Sequence, residues 1–179
     1  MCHFITLVAP TADEAGVRAV MARHERQTRP VDSRYLAVAL RPGERQYLPL
    51  HDAGCDCGTV LAAYEPEEDE LDEINRETAR LSRKGWSSAR ITRALADRRK
   101  ASSRPSKGPD SLELWAAAIQ DLHASLGLSH VGLFLRSYTG DLDGEAFEPT
   151  RLDAPTGALT DALATLGENR LMIFAARAR

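Results

Sequence analysis

The chain changes character abruptly at Glu65, and the segment that follows cannot be the inside of a protein. Residues 65–77 hold eight acidic side chains and one basic, and residues 83–107 hold nine basic and one acidic, Asp97. Charges at this density are almost never buried without partners. The core of the 179-residue chain must therefore come from what lies before and after this segment. We expect residues 1–64 and 109–179 to form a single α+β domain, with 65–108 inserted as a charged helical hairpin. Leu71, Ile74, Thr78 and Leu81 recur along one helical stripe, and Gly85 is placed to end that helix. Ser87 or Ser88 can start a second helix, whose apolar face is Ile91, Ala94 and Leu95.

Outside the insert the hydrophobic period switches several times. Residues 3–8 are a short apolar run with β-branched content, which reads as a strand stopped by Pro10. Thr11 with Glu14 makes a capping box, and Ala15, Val17, Val20, Met21 and His24 keep one helical face before Pro30. Residues 35–40 and 46–50 read as strands joined by the Arg41-Pro42-Gly43-Glu44 turn; Pro49 assigns the second to an edge or an end. Residues 60–64 read as a further strand. Asp110 and Glu113 form a second capping box, followed by a full apolar stripe of Leu112, Trp115, Ala116, Ile119, Leu122, His123 and Leu126 ending at Gly127. Val131, Leu133 and Leu135 alternate as a strand, and 139–150 reads as an acidic loop. Leu159, Ala162, Leu163 and Leu166 suit a short helix, and 171–176 a final strand, apolar on both faces and so central. This order predicts an α+β fold: a mostly antiparallel sheet with helices packed on one face, compatible with ferredoxin-like connectivity.

Composition removes several classes of function. A net charge of −3 is no electrostatic footprint of a nucleic-acid or membrane binder. The longest stretch free of Asp, Glu, Lys and Arg, 122–135, contains two His and two Gly and falls short of the roughly 18 apolar residues of a membrane span. No basic segment leads an apolar one at the amino terminus, so no secretory signal is expected. Three cysteines, an odd number, suit free or metal-bound thiols in a reducing compartment, and the cytoplasm is the expected location.

The chemistry gathers in one constellation. Cys2 and His3 open the chain, and His51, Cys55 and Cys57 share the run His51-Asp52-Ala53-Gly54-Cys55-Asp56-Cys57-Gly58. Thiolate sulfur and imidazole nitrogen are good zinc ligands, and a tetrahedral structural site needs four. In an extended Cys55-Asp56-Cys57 segment both sulfurs face the same way while Asp56 turns aside. Gly54 and Gly58 let the backbone curl around an ion. Cys2 and His3 point to opposite faces of a strand, so one of them is expected to join. The expected ligands are Cys2, Cys55 and Cys57 with His51 as the fourth and His3 as its substitute; zinc is the expected ion. The plain alternative is that these are inert thiols, cysteine being among the most buried residue types.

The opening Met1-Cys2 resembles that of amidotransferases with an amino-terminal cysteine nucleophile. The resemblance implies that, with Met1 removed, the free amine of Cys2 serves as general base for its own thiol. That family continues with Gly where this chain has His3, and is built on two stacked sheets. Lys84-Gly85-Trp86-Ser87 followed by Arg90, Ile91 and Arg93 resembles the helix-turn-helix pattern of small DNA-binding proteins, and Arg98-Arg99-Lys100 could touch phosphates. The acidic first helix would neutralise that surface, leaving a net charge near +2 over 65–107, so we favour charge pairing within the hairpin over nucleic-acid binding. Trp86 with Arg90 and Arg93 then reads as a contact surface for a protein partner. In size and charge the chain is similar to bacterial immunity-type inhibitors, and a binding protein is expected rather than an enzyme. His24 and His123 read as satisfied boundary histidines, His130 as a loop residue, and Asp141, Asp143 and Glu145 as an exposed acidic loop.

Overall fold

The structure, a computed structural model, describes residues 2–50, 54–62, 68–87, 90–91, 93–94, 110–139 and 145–176, with the side chains of 68–75 excepted. Among the described residues one sheet runs in the order β2-β3-β1-β4-β6-β5. Its strands are β1 (Cys2–Ala9), β2 (Gln27–Val31), β3 (Arg45–Leu50), β4 (His130–Tyr138), β5 (Thr150–Asp153) and β6 (Arg170–Ala175). Every neighbouring pair is antiparallel except β5 with β6. The helices are α1 (Glu14–Ala22), α2 (Arg34–Ala37), α3 (Glu68–Arg83), α4 (Leu112–Leu126) and α5 (Leu159–Leu163). The fold is α+β, with two strands more than a four-stranded ferredoxin-like sheet has. Among the described residues no helix is long and apolar enough to cross a membrane.

Two compact units divide the chain: Met1–Ala62 with Pro109–Arg179, and Ala63–Gly108. In the first, strand alternation sorts the apolar side chains. Ile5, Leu7 and Ala9 of β1, Val131, Leu133 and Leu135 of β4, and Met172 and Phe174 of β6 share the larger core with α1, α4 and α5. Helix α4 supplies Trp115, Ala116, Ala118, Ile119 and Leu122, and each large side chain buried this way contributes about 1.5–3 kcal/mol. The opposite face buries Val8, Phe134, Leu171 and Ile173 under Leu36 of α2, so one helix lies on the second face. Gly132 sits on that face because there is no room for more: a Cβ there would meet Ile173 and Leu171 methyls at 2.9 Å. In the second unit, Gly85 at φ +79° ends α3, residues 90–91 and 93–94 are helical, and Leu81 and Ile91 are buried.

Several elements differ from the sequence expectation. Residues 34–37 are helix α2, capped by Ser33 Oγ on the Leu36 amide, where the aromatic and apolar content of 35–40 suggested a strand. Strand β2 includes Pro30, which an edge strand tolerates because its outer N–H would go unpaired anyway. Of the strand expected over 60–64, residues 60–62 are turn and bend and 63–64 lie outside the described residues; β5 lies at the end of the expected acidic loop. The cap of α1 is Asp13, whose Oδ1 accepts from Gly16 N at 2.9 Å, and Ser111 caps α4. Asp110 is thereby freed for another role.

Candidate metal centre

Strand β3 lies between β2 and β1, so Pro49 is not on an edge. The β1–β3 ladder runs from Ala9–Arg45 to Leu7–Tyr47. Extended by two residues it would set Ile5 against Pro49, which has no N–H to donate. Asp56 takes over along β1 here. Its backbone N–H donates to His3 O at 2.8 Å, and its Oδ2 accepts the Ile5 N–H at 2.9 Å. The segment 54–58 is thus docked beside the first residues of β1, with Gly54 and Gly58 both at φ +79°, a conformation side chains resist.

Docking Asp56 inward turns its neighbours outward. Cys2, Cys55 and Cys57 come together with their sulfurs all within 4.8 Å of one another, Cys55 half-buried and the other two exposed. None is in a disulfide. Four ligands around a tetrahedral zinc hold sulfurs about 3.8 Å apart, given Zn–S near 2.3 Å, so modest closure would seat an ion. Cys57 Sγ also accepts the His3 N–H at 3.1 Å. Burial pushes the Cys57 thiol above its ordinary range against the effect of that N–H, and the adjacent Cys55 and Cys2 push the same way. The three cysteines can bind a metal ion.

Asp56 is fully buried, and its second oxygen meets Arg26 Nη1 at 2.6 Å. Arg26, 3 % exposed, reaches Asp110 with its other nitrogen at 2.8 Å and lies over the Trp115 ring at 4.4 Å. Asp110 further accepts from Trp115 Nε1 and from the Val60 amide, tying α4 to the cysteine segment. Burial raises the Asp56 carboxyl despite the Ile5 amide and Arg26, and the charge of Asp110 adds to the rise.

The expected sulfur ligands converge, while His51 lies outside the described residues. Of Cys2 and His3, Cys2 is in the cluster and His3 is not, as the strand alternation predicts; His3 Nδ1 lies beside it, 3.9 Å from Cys57 Sγ. No protein-family model, curated protein or solved structure matches this chain. The residues that sequence reasoning passed over are Arg26 and Asp110, and Glu168, whose Oε1 lies 3.0 Å from His3 Nε2, together with the anchoring role of Asp56. The one available signal was Asp56 itself, a carboxylate flanked by two cysteines.

The remaining candidates are accounted for structurally. His24 Nε2 bonds Asp121 at 3.0 Å, and His123 Nδ1 bonds Leu128 O at 2.9 Å. His130 is the first residue of β4, not a loop residue. It joins Ser129 Oγ at 3.0 Å and Glu44 Oε1 at 2.6 Å, the order of a nucleophile–base–carboxylate relay. Glu44, however, is saturated: Arg151 takes both its oxygens at 2.8 and 2.9 Å, and the Arg41 amide donates at 2.6 Å. This cluster is an ion-pair brace between the β3 turn, β4 and β5. Asp141 and Asp143 lie outside the described residues, and Glu145 accepts from the Thr139 amide. In the second unit the Arg90 guanidinium stacks 3.9 Å above the Trp86 ring, and Arg93 is exposed.

Proposed function

We propose that the chain is a zinc-binding protein in which Cys2, Cys55 and Cys57 hold a structural ion that clips residues 54–62 to β1, and that it acts by binding a protein partner. The observation that carries the metal is the convergence of three sulfurs, from two distant stretches of sequence, within 4.8 Å. Soft thiolates select zinc over the hard cations, which prefer oxygen. An ion bound by both stretches adds its binding free energy to folding, because the unfolded chain has no such site. The contact surface that best suits a partner is Trp86 with Arg90 stacked on it, an aromatic anchor of the kind that dominates interface energies.

Protein purified without chelator should carry about one zinc per chain by elemental analysis and show few reactive thiols until a chelator is added. Three freely titrating thiols and no bound metal would remove the proposal.

A further inference from the structure

The three sulfurs leave a tetrahedral ion one ligand short, and the neighbouring side chain is built to supply it. The His3 ring stands between two partners: Nδ1 is 3.9 Å from Cys57 Sγ, and Nε2 is 3.0 Å from Glu168 Oε1. Glu168 is itself held, its other oxygen accepting from Ser137 Oγ at 3.2 Å. Ser137 is the residue of β4 directly across from His3, and Glu168 reaches this spot through a bridge with Leu135 in the approach to β6. A carboxylate accepts hydrogen bonds, so the bond to Glu168 places the ring proton on Nε2 and leaves the Nδ1 lone pair facing the sulfurs. Carboxylate–histidine–metal relays have this construction, in which the outer carboxylate fixes the tautomer and strengthens the inner nitrogen as a donor.

We propose that His3 Nδ1 is the fourth ligand of a closed Cys2-His3-Cys55-Cys57 zinc site, and that Glu168 is its positioning residue. This rests on the metal reading above. The 3.9 Å separation of Nδ1 from Cys57 Sγ is close to the roughly 3.6 Å expected between a nitrogen and a sulfur on one tetrahedral zinc. His3 lies outside the tight sulfur cluster, so the ring must swing a little to complete the site. The side chain of His3 is 17 % exposed and that of Glu168 39 %, so neither is packed into the core. Filling the fourth position with a protein ligand makes the site structural: no coordination place is left for a water or a substrate. The cysteine thiols lose their protons to bind the ion while the neutral His3 ring offers its Nδ1 lone pair, so loading releases protons and oxidises nothing.

Cobalt(II) added to the full-length metal-free protein reports both ligand set and geometry by its absorption. Wild type should give the spectrum of a tetrahedral cobalt with three thiolates and one nitrogen. His3→Ala should lose the nitrogen and weaken zinc in a competition titration by at least 100-fold. Glu168→Gln should keep the cobalt spectrum while weakening zinc roughly 10- to 100-fold. His51→Ala should change neither. If wild type binds no cobalt or zinc, the metal reading itself falls. If it binds three thiolates but His3→Ala leaves spectrum and affinity intact, or His51→Ala removes the nitrogen, the metal reading stands and the assignment of His3 is overturned. Circular dichroism on each variant identifies any that fails to fold, and Glu168→Gln, which changes no residue of β1, then decides alone.

Discussion

Two buried carboxylates, Asp56 and Glu44, are both held by arginine, and the protein treats them in opposite ways. Glu44 is served by four donors: two guanidinium nitrogens of Arg151, the Arg41 amide and His130. Its burial works against ionisation, but these donors win and hold its pKa at about 2, against an ordinary 4.5. Asp56 has the Ile5 amide and one nitrogen of an arginine that it shares with Asp110, and burial wins there. One carboxylate stabilises by its charge. The other is retained at a cost in charge, because its backbone and side-chain bonds orient the cysteine segment. A buried ion pair that adds little net stability is often kept for the geometry it enforces, and here the geometry is the convergence of three sulfurs.

The largest effect should come from breaking Asp56. Asp56→Ala leaves Arg26 with one carboxylate, Asp110, strands the Ile5 amide and releases the Cys55-Cys57 segment. We expect a loss of about 3–5 kcal/mol in urea unfolding, together with loss of metal binding. Intact metal binding in a folded Asp56→Ala protein would erase the distinction between the two carboxylates. Glu44→Gln should cost less, about 3 kcal/mol or below, and should leave the metal centre alone.

The same pair separates by acid. Because the folded pKa of Glu44 is depressed, its stabilisation is fully present above about pH 4.5 and is lost as the pH falls toward 2. The full loss is roughly 3 kcal/mol. Stability measured through this window should drop in wild type and stay flatter in Glu44→Gln. Equal slopes would show that Glu44 is not the group responsible. A smaller and unrelated effect calibrates the series. Gly132→Ala, which forces a methyl among Val8, Leu171 and Ile173, should cost about 1–3 kcal/mol without touching either carboxylate or zinc affinity.

The contrast also shows what a sequence can and cannot carry. Strand β1, helix α4 and strand β6 were legible because each buries a continuous apolar pattern, and periodicity records burial. Residues 35–40 misled because the same apolar content serves helix α2, whose signal was the Ser33 cap. Strands β2 and β5 are edge strands with polar faces, so no pattern marked them. The three converging cysteines could be named from chemistry alone, since few residue types bind soft metals. Their supports could not. Glu168 reaches His3 only through the pairing of β1 with β4, and Arg26 reaches Asp56 only because the ladder stops short of Pro49. Such contacts are properties of sheet register, and no spacing in the chain encodes them.

We expect the fold to close Cys2, Cys55 and Cys57 on a single ion. X-ray absorption at the zinc edge, on full-length protein loaded with one equivalent of zinc, counts the sulfurs directly. Three sulfurs at about 2.3 Å, in a four-coordinate shell completed by one nitrogen, is the predicted result. A shell of oxygens and nitrogens, or one holding a single sulfur, would contradict it.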